Sequence, residues 1–190
     1  IQVVRSGVAF STKDRDSIVV MNAILGGAFS SRINMNLREK NAYTYGARSH
    51  FAMRHGAGPF LAGASVHAEK TIPAIKEIFI ELEGLRSGGP TDEELALAKE
   101  SIRMAMPGRF ETVGDVATAT ADLVVYDLPL DEYEKRPARI DAVTAADVKR
   151  VAAEYLDQKA MTVIVVGEKA SLAPQLDSLG LGAFEERDAY

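Results

Sequence analysis

The amino-acid sequence predicts an α+β fold: a mostly antiparallel sheet with helices packed on one face. Three observations carry that expectation. Apolar, β-branched segments are few and lie before residue 67, with one more returning near residue 161. The stretch between them is a succession of amphipathic helical patterns separated by Gly, Pro and capping residues. Two of the early strands are joined by a short loop containing Gly56-Ala57-Gly58, the signature of an antiparallel hairpin. Strands grouped early, with helices filling the middle, give the order of an α+β layer.

Taken in order, Ile1–Phe10 reads as a strand and Thr12–Asp16 as a polar loop. Ser17–Leu25 follows as an almost wholly apolar helix. Gly26-Gly27 reads as its left-handed stop. Ser30 and Ser31 offer N-caps for a short helix in which Ile33 and Leu37 mark one face, reaching about Lys40. Ala42–Met53 is expected as a long strand carrying Tyr43, Tyr45 and Phe51, and Phe60–Val66 as its partner. Thr71–Arg86 is helical, with Ile72, Ile75, Phe79 and Leu82 on one face and Pro73 tolerated in the first turn. Ser87-Gly88-Gly89-Pro90 is a break.

Thr91 and Glu94 then fit a capping box for a helix that reaches Met104 and stops before Pro107. Further helices are expected over Val113–Tyr126, Leu130–Asp141 (with a weak point at Pro137) and Ala145–Leu156, the last capped by Thr144. Met161–Val166 is a closing strand, and a looser tail follows Gly167, covering about 170–190. No repeat, low-complexity tract or linker divides the chain, so one domain over 1–190 is expected.

At 190 residues, 47% hydrophobic and 26% charged, the composition is that of an ordinary globular domain. With 22 basic against 27 acidic residues, it argues against a nucleic-acid footprint, which needs clustered cations. The absence of cysteine excludes disulfides, thiolate metal sites and a thiol nucleophile. No apolar run approaches bilayer-spanning length, so membrane insertion is not expected. The chain begins without Met, as a fragment or a processed product would.

His50 and His55 are five apart in an expected strand and its turn, and tend to opposite faces. His67 and Glu69 share a parity but lack a second histidine. Neither HExxH nor HxxEH occurs, so no metal is expected on this chain. Ser30 and Ser31 lack a nucleophile-elbow context and read as caps. Glu93, Glu94, Asp131 and Glu132 read as solvated carboxylates at helix starts. What remains is Arg38, ending the short helix, and Tyr45, seven residues on. On one rim they could donate to a substrate carbonyl and its developing oxyanion. By spacing alone, a helix-terminal Arg and a half-buried strand Tyr are the more economical description.

The run Leu25-Gly26-Gly27, Ser30-Ser31-Arg32, Leu37-Arg38-Glu39-Lys40 and Tyr45 resembles the C-terminal half of M16 zinc metallopeptidases, the insulinase, pitrilysin and mitochondrial processing peptidase family. The likeness continues through Thr91–Lys99, Ala142–Val148 and Val163–Gly167. The resemblance implies an M16 peptidase/LuxS-like α+β domain, one piece of a larger clamshell. It implies that zinc, its ligands and the catalytic glutamate sit on an N-terminal domain or partner subunit carrying HxxEH. It implies a peptide substrate whose backbone carbonyl Arg38 binds and whose tetrahedral oxyanion Tyr45 stabilises, from a strand lining the chamber.

One departure stands out: Ala42 and Tyr43 occupy positions where the family usually has Gly and Leu. Ala enters left-handed conformations less cheaply than Gly, so a different local path of the loop is expected. The family also includes halves that have lost catalysis and persist as structural partners, which gives a second expectation, an interaction module. A third is a plain α+β binding domain, for which the motif run would be coincidence. The resemblance leaves the compartment open, leaning to the bacterial periplasm because many relatives are exported.

Overall fold

Side chains alternate across short strands, and here that alternation makes a two-faced sheet. In the computed structural model, which describes residues 1–187, β1 (Gln2–Ser6), β2 (Ala47–Phe51), β3 (Pro59–Ala64) and β4 (Thr162–Ile164) form one sheet. The strand order is β2-β3-β1-β4 and every pairing is antiparallel. Register sets Ala62 opposite both Val3 and Ser49. These three, with Ala47 and Phe60, are buried, while the alternate residues Arg48 and His50 are exposed.

Helices close over the buried face: α1 (Arg15–Asn22), α2 (Arg32–Asn34), α3 (Thr71–Gly88), α4 (Asp92–Ala105), α5 (Val113–Val125), α6 (Glu132–Ala142), α7 (Ala145–Tyr155) and α8 (Lys169–Leu176). Ile18, Met21, Leu25, Ile33 and Leu37 from the N-terminal helices join Ile78, Leu82 and Leu85 of α3 and Val148 and Val151 of α7 in one core with Val3 and Phe60. Each such large side chain contributes about 1.5–3 kcal/mol by leaving water, which makes this cluster the main source of stability. The α+β class with an antiparallel sheet is as the sequence predicts.

Several boundaries differ, each for a local reason. The first helix begins at Arg15 and widens into a π turn over Ala23–Gly27; α2 likewise passes into a π turn over Met35–Lys40. Gly26 and Gly27 are not a left-handed stop, because positive φ among glycines occurs at Gly89, Gly180 and Gly182. Gly26 is required by proximity: a Cβ there would lie 2.4 Å from the Ser49 nitrogen and 2.5 Å from its Oγ. Ser31 occupies the N-cap of α2 without a capping bond from its side chain.

The long strand over 42–53 is instead a loop, with strand only from Ala47. Ala42 does take the left-handed conformation, at φ 53°. It turns the chain out of the helix with Ala42 N donating to Arg38 O (3.1 Å) and Tyr43 N to Leu37 O (2.8 Å). Thr44 Oγ then accepts from Gly46 N (3.1 Å) and donates to Ser65 O (2.7 Å), a local pattern that competes with ladder pairing. The segment after Gly167, expected as a looser tail, includes α8 with Leu172 buried; the tail's last residues, 188–190, lie outside the described residues.

One expectation about polarity, the solvation of Glu132, is also corrected. The helical stretch Arg15–Lys40 is long and apolar enough to cross a membrane by length and composition, although no single apolar run suggested it; in the fold, 50% of its most apolar window is buried, as in a core helix. Glu132 is not solvated but buried, accepting from Arg15 (2.5 Å) and Arg139 (2.7 Å), which ties α6 to α1. Glu94 completes the expected capping box with Thr91 and also holds Arg32 through two bonds of 2.6 and 2.7 Å, joining α4 to α2. Burial by itself would raise the Glu94 carboxyl, but hydrogen bonds from Arg32 and Thr91 and the Arg32 charge hold it below its ordinary value.

Gly26→Ala is expected to cost about 1–3 kcal/mol, because its methyl must displace the β2 backbone. Ala42→Gly is expected to gain about 0.5–1 kcal/mol by relieving a left-handed alanine. Urea midpoints check both, and a stabilising Gly26→Ala would refute the close approach. A carboxyl lowered in the folded state stabilises above its unfolded value and loses that contribution as pH falls through the folded one. Glu94→Gln should therefore lower Tm at neutral pH, with the gap to the parent closing under acid; calorimetry across the carboxylate range measures it.

Candidate functional site

Arg38 sits on the π turn that follows α2, and Tyr45 in the loop leading into β2. Tyr45 is thus neither on a strand nor half-buried: it is 94% exposed. The two residues nevertheless line one open groove of about 600 Å³, together with Glu39, residues 42–44 and residues 65–67. The Arg38 guanidinium lies 4.7 Å from the centroid of the Phe29 ring, and its Nε is 3.3 Å from Glu39 Oε1. Each of these exposed contacts is worth about 0.2–1 kcal/mol, enough to bias the side chain without consuming its donors. Among the described residues, neither the Arg38 Nη atoms nor the Tyr45 hydroxyl makes a hydrogen bond, so a cationic fork and a phenol are both free to donate into the groove.

Below the groove, three asparagines, of which Asn34 and Asn36 are buried, set the backbone that carries the pair. Asn36 Nδ2 donates to Glu77 Oε2 (2.8 Å) and Glu81 Oε1 (2.5 Å), fastening the π turn to α3. Asn41 Nδ2 donates to Asn36 O (3.0 Å) and Oδ1 (2.6 Å), closing the turn just before Ala42. Asn34 Nδ2 donates to Phe29 O (2.7 Å), and its Oδ1 accepts from Ala47 N (3.1 Å). No motif in the sequence marks these residues. The available signal was two poor helix formers, Asn34 and Asn36, within one short helical pattern, with Asn41 just past its end. Phe29, 65% exposed and stacked under Arg38, and His67, which lines the groove, have no local pattern that ties them to Arg38.

His50 is exposed on the outer face of β2, and His55 is exposed with its ring 5.4 Å from that of Tyr126. His67 lines the groove, but among the described residues no three His, Cys, Asp or Glu side chains are grouped to hold a metal ion.

Comparison with known proteins bears on the family and the fold. The family model described as the peptidase M16 inactive domain matches residues 1–102. An uncharacterized zinc protease of Streptomyces coelicolor is 25% identical over 170 residues, covering 90% of this chain and 37% of the relative. The non-peptidase homolog YmxG of Helicobacter pylori is 27% identical over 173 residues, covering 86% of this chain and 39% of the relative. The chain thus spans less than two fifths of the length of either. The crystal structure of a peptidase M16 inactive domain from Pseudomonas fluorescens superposes with a TM-score of 0.77 at 25% identity, over 84% of this chain and 38% of that one. An inactive peptidase domain from Bordetella parapertussis shares the fold at a TM-score of 0.70 and 19% identity, over 85% of this chain and 87% of that one. The chain belongs to the peptidase M16 family, as a domain of the type that family calls inactive.

Proposed function

We propose that residues 1–190 form one substrate-gripping domain of a zinc-dependent M16 endopeptidase. Arg38 donates to a backbone carbonyl of the bound peptide, and Tyr45 donates its hydroxyl to the oxyanion that forms on the scissile carbonyl. The complementary domain or subunit, carrying HxxEH, supplies zinc and the attacking water. The observation that supports this is the shared groove: Arg38, whose Nη atoms make no hydrogen bond among the described residues, and the Tyr45 phenol line one open space. Hydrogen-bond donors aimed where charge develops are worth most in a site from which water is excluded, so the groove is expected to work only when a second domain closes over it.

A second reading is a structural half with no part in catalysis. The relative described as a non-peptidase homolog favours it, since sequences of this kind exist without activity.

The two readings divide on one experiment. The chain is combined with its HxxEH-bearing domain or subunit, and cleavage of a fluorogenic peptide is followed. Arg38→Ala and Tyr45→Phe are each expected to lower kcat/KM by roughly 10- to 10³-fold, the range for loss of one oxyanion donor. Association with the zinc-bearing partner should be unchanged. Normal turnover in both variants, with normal association, would overturn the assigned roles and establish the structural reading.

A further inference from the structure

Asn34 is 4% exposed, between the buried residues Ile33 and Leu37 of the α2 segment. An apolar residue would fill such a site more cheaply, because a buried amide costs free energy unless both its polar ends are satisfied. Both ends of Asn34 are satisfied, and by backbone atoms on opposite arms of the groove. Its Nδ2 donates to the carbonyl of Phe29, whose ring lies under the Arg38 guanidinium. Its Oδ1 accepts from the amide of Ala47, the first residue of β2 and two residues beyond Tyr45. One side chain thus holds the platform beneath Arg38 and the anchor behind Tyr45.

We infer that Asn34 is a positioning residue that sets the separation of the Arg38 guanidinium and the Tyr45 hydroxyl, with Phe29 as the platform on the arginine side. The chemistry requires an amide. A carboxylate in its place keeps an acceptor for Ala47 N but offers Phe29 O a second oxygen, so the arginine arm is released while the tyrosine arm stays. Leucine keeps the volume and releases both arms. Displacing a reacting group's partner by an ångström can cost about two orders of magnitude in rate, so a remote amide can matter as much as the donors it places.

The inference rests on the role proposed for the pair, and its test has one arm that does not. In ¹H–¹⁵N spectra of the chain, the Arg38 Nε–H resonance should carry a ring-current shift from Phe29. Asn34→Asp is expected to abolish that shift while leaving the Ala47 amide protected. Asn34→Leu is expected to abolish it and to speed Ala47 amide exchange by about tenfold or more. Unchanged Arg38 and Ala47 signals in a folded Asn34→Leu protein would overturn the positioning role, whatever the catalytic outcome.

In the zinc-bearing complex, Asn34→Asp and Phe29→Ala should each lower kcat by about tenfold or more with little change in KM. The effect of each should disappear in an Arg38→Ala background, as coupled sites require. Full additivity with Arg38→Ala would overturn the inference. Phe29 is on the surface, so Phe29→Ala keeps the test decisive if the Asn34 variants fail to fold. Silent Arg38→Ala and Tyr45→Phe would instead remove the proposed role of the pair and leave the spectroscopic test standing.

Discussion

The close approach between the Gly26 turn and β2 is the constraint on which the rest of the structure depends. With no Cβ at Gly26, the first helix can lie directly against Ser49. The contact is then locked by polar bonds: Asn22 Nδ2 donates to Ser49 O (3.1 Å) and Ser49 Oγ donates to Asn22 Oδ1 (2.8 Å). A sheet edge normally presents unpaired backbone groups. Here Ala47 N and Ser49 O on β2, an edge strand, are taken by asparagines of the helical layer. That seam holds the edge strand to the helices, and with it the loop bearing Tyr45.

Two π turns lie in the same helical segment, one on each side of α2. A π turn admits one more residue per hydrogen-bonded ring than an α-helix and is frequent at functional sites. The first carries Gly26 against the sheet, and the second carries Arg38 to the groove. Arg32 holds the segment between them, bonding Glu94 and the carbonyl of Gly89 (3.0 Å), so the approach of α2 is fixed from the side of α4 as well. The groove is open and its donors are free because the backbone beneath it is already satisfied by asparagines. Above it, the Arg38 Nη atoms and the Tyr45 hydroxyl are left without hydrogen-bond partners among the described residues.

The element pattern was legible in the sequence wherever one local signal dominated. The 3.6-residue period of α3, the Thr91 capping box, the Thr144 cap and the hairpin across Gly56–Gly58 all appear as expected. Arg38 and Tyr45 were legible as a pair only through the resemblance of their motif, because their spacing has an ordinary structural explanation. Local signals failed where two elements compete for one backbone. Ala42, Thr44 and Gly46 sit among aromatic residues that favour a strand, but the π turn must first be closed by a left-handed residue, which costs the segment its ladder. Glu94 and Glu132 were misjudged as solvated because their arginine partners are 62 and 117 residues away.

By itself, then, the sequence determined the fold class, the order of most elements and the absence of a thiol or metal motif. Those are properties of composition and short-range pattern. Only the tertiary structure decided that Gly26 is demanded by contact rather than by conformation, that Tyr45 stands on an exposed loop, and that Asn34 links the two arms of the groove. Each of those depends on atoms brought within hydrogen-bond or van der Waals distance across 5 to 27 residues of chain, a proximity that no local pattern encodes.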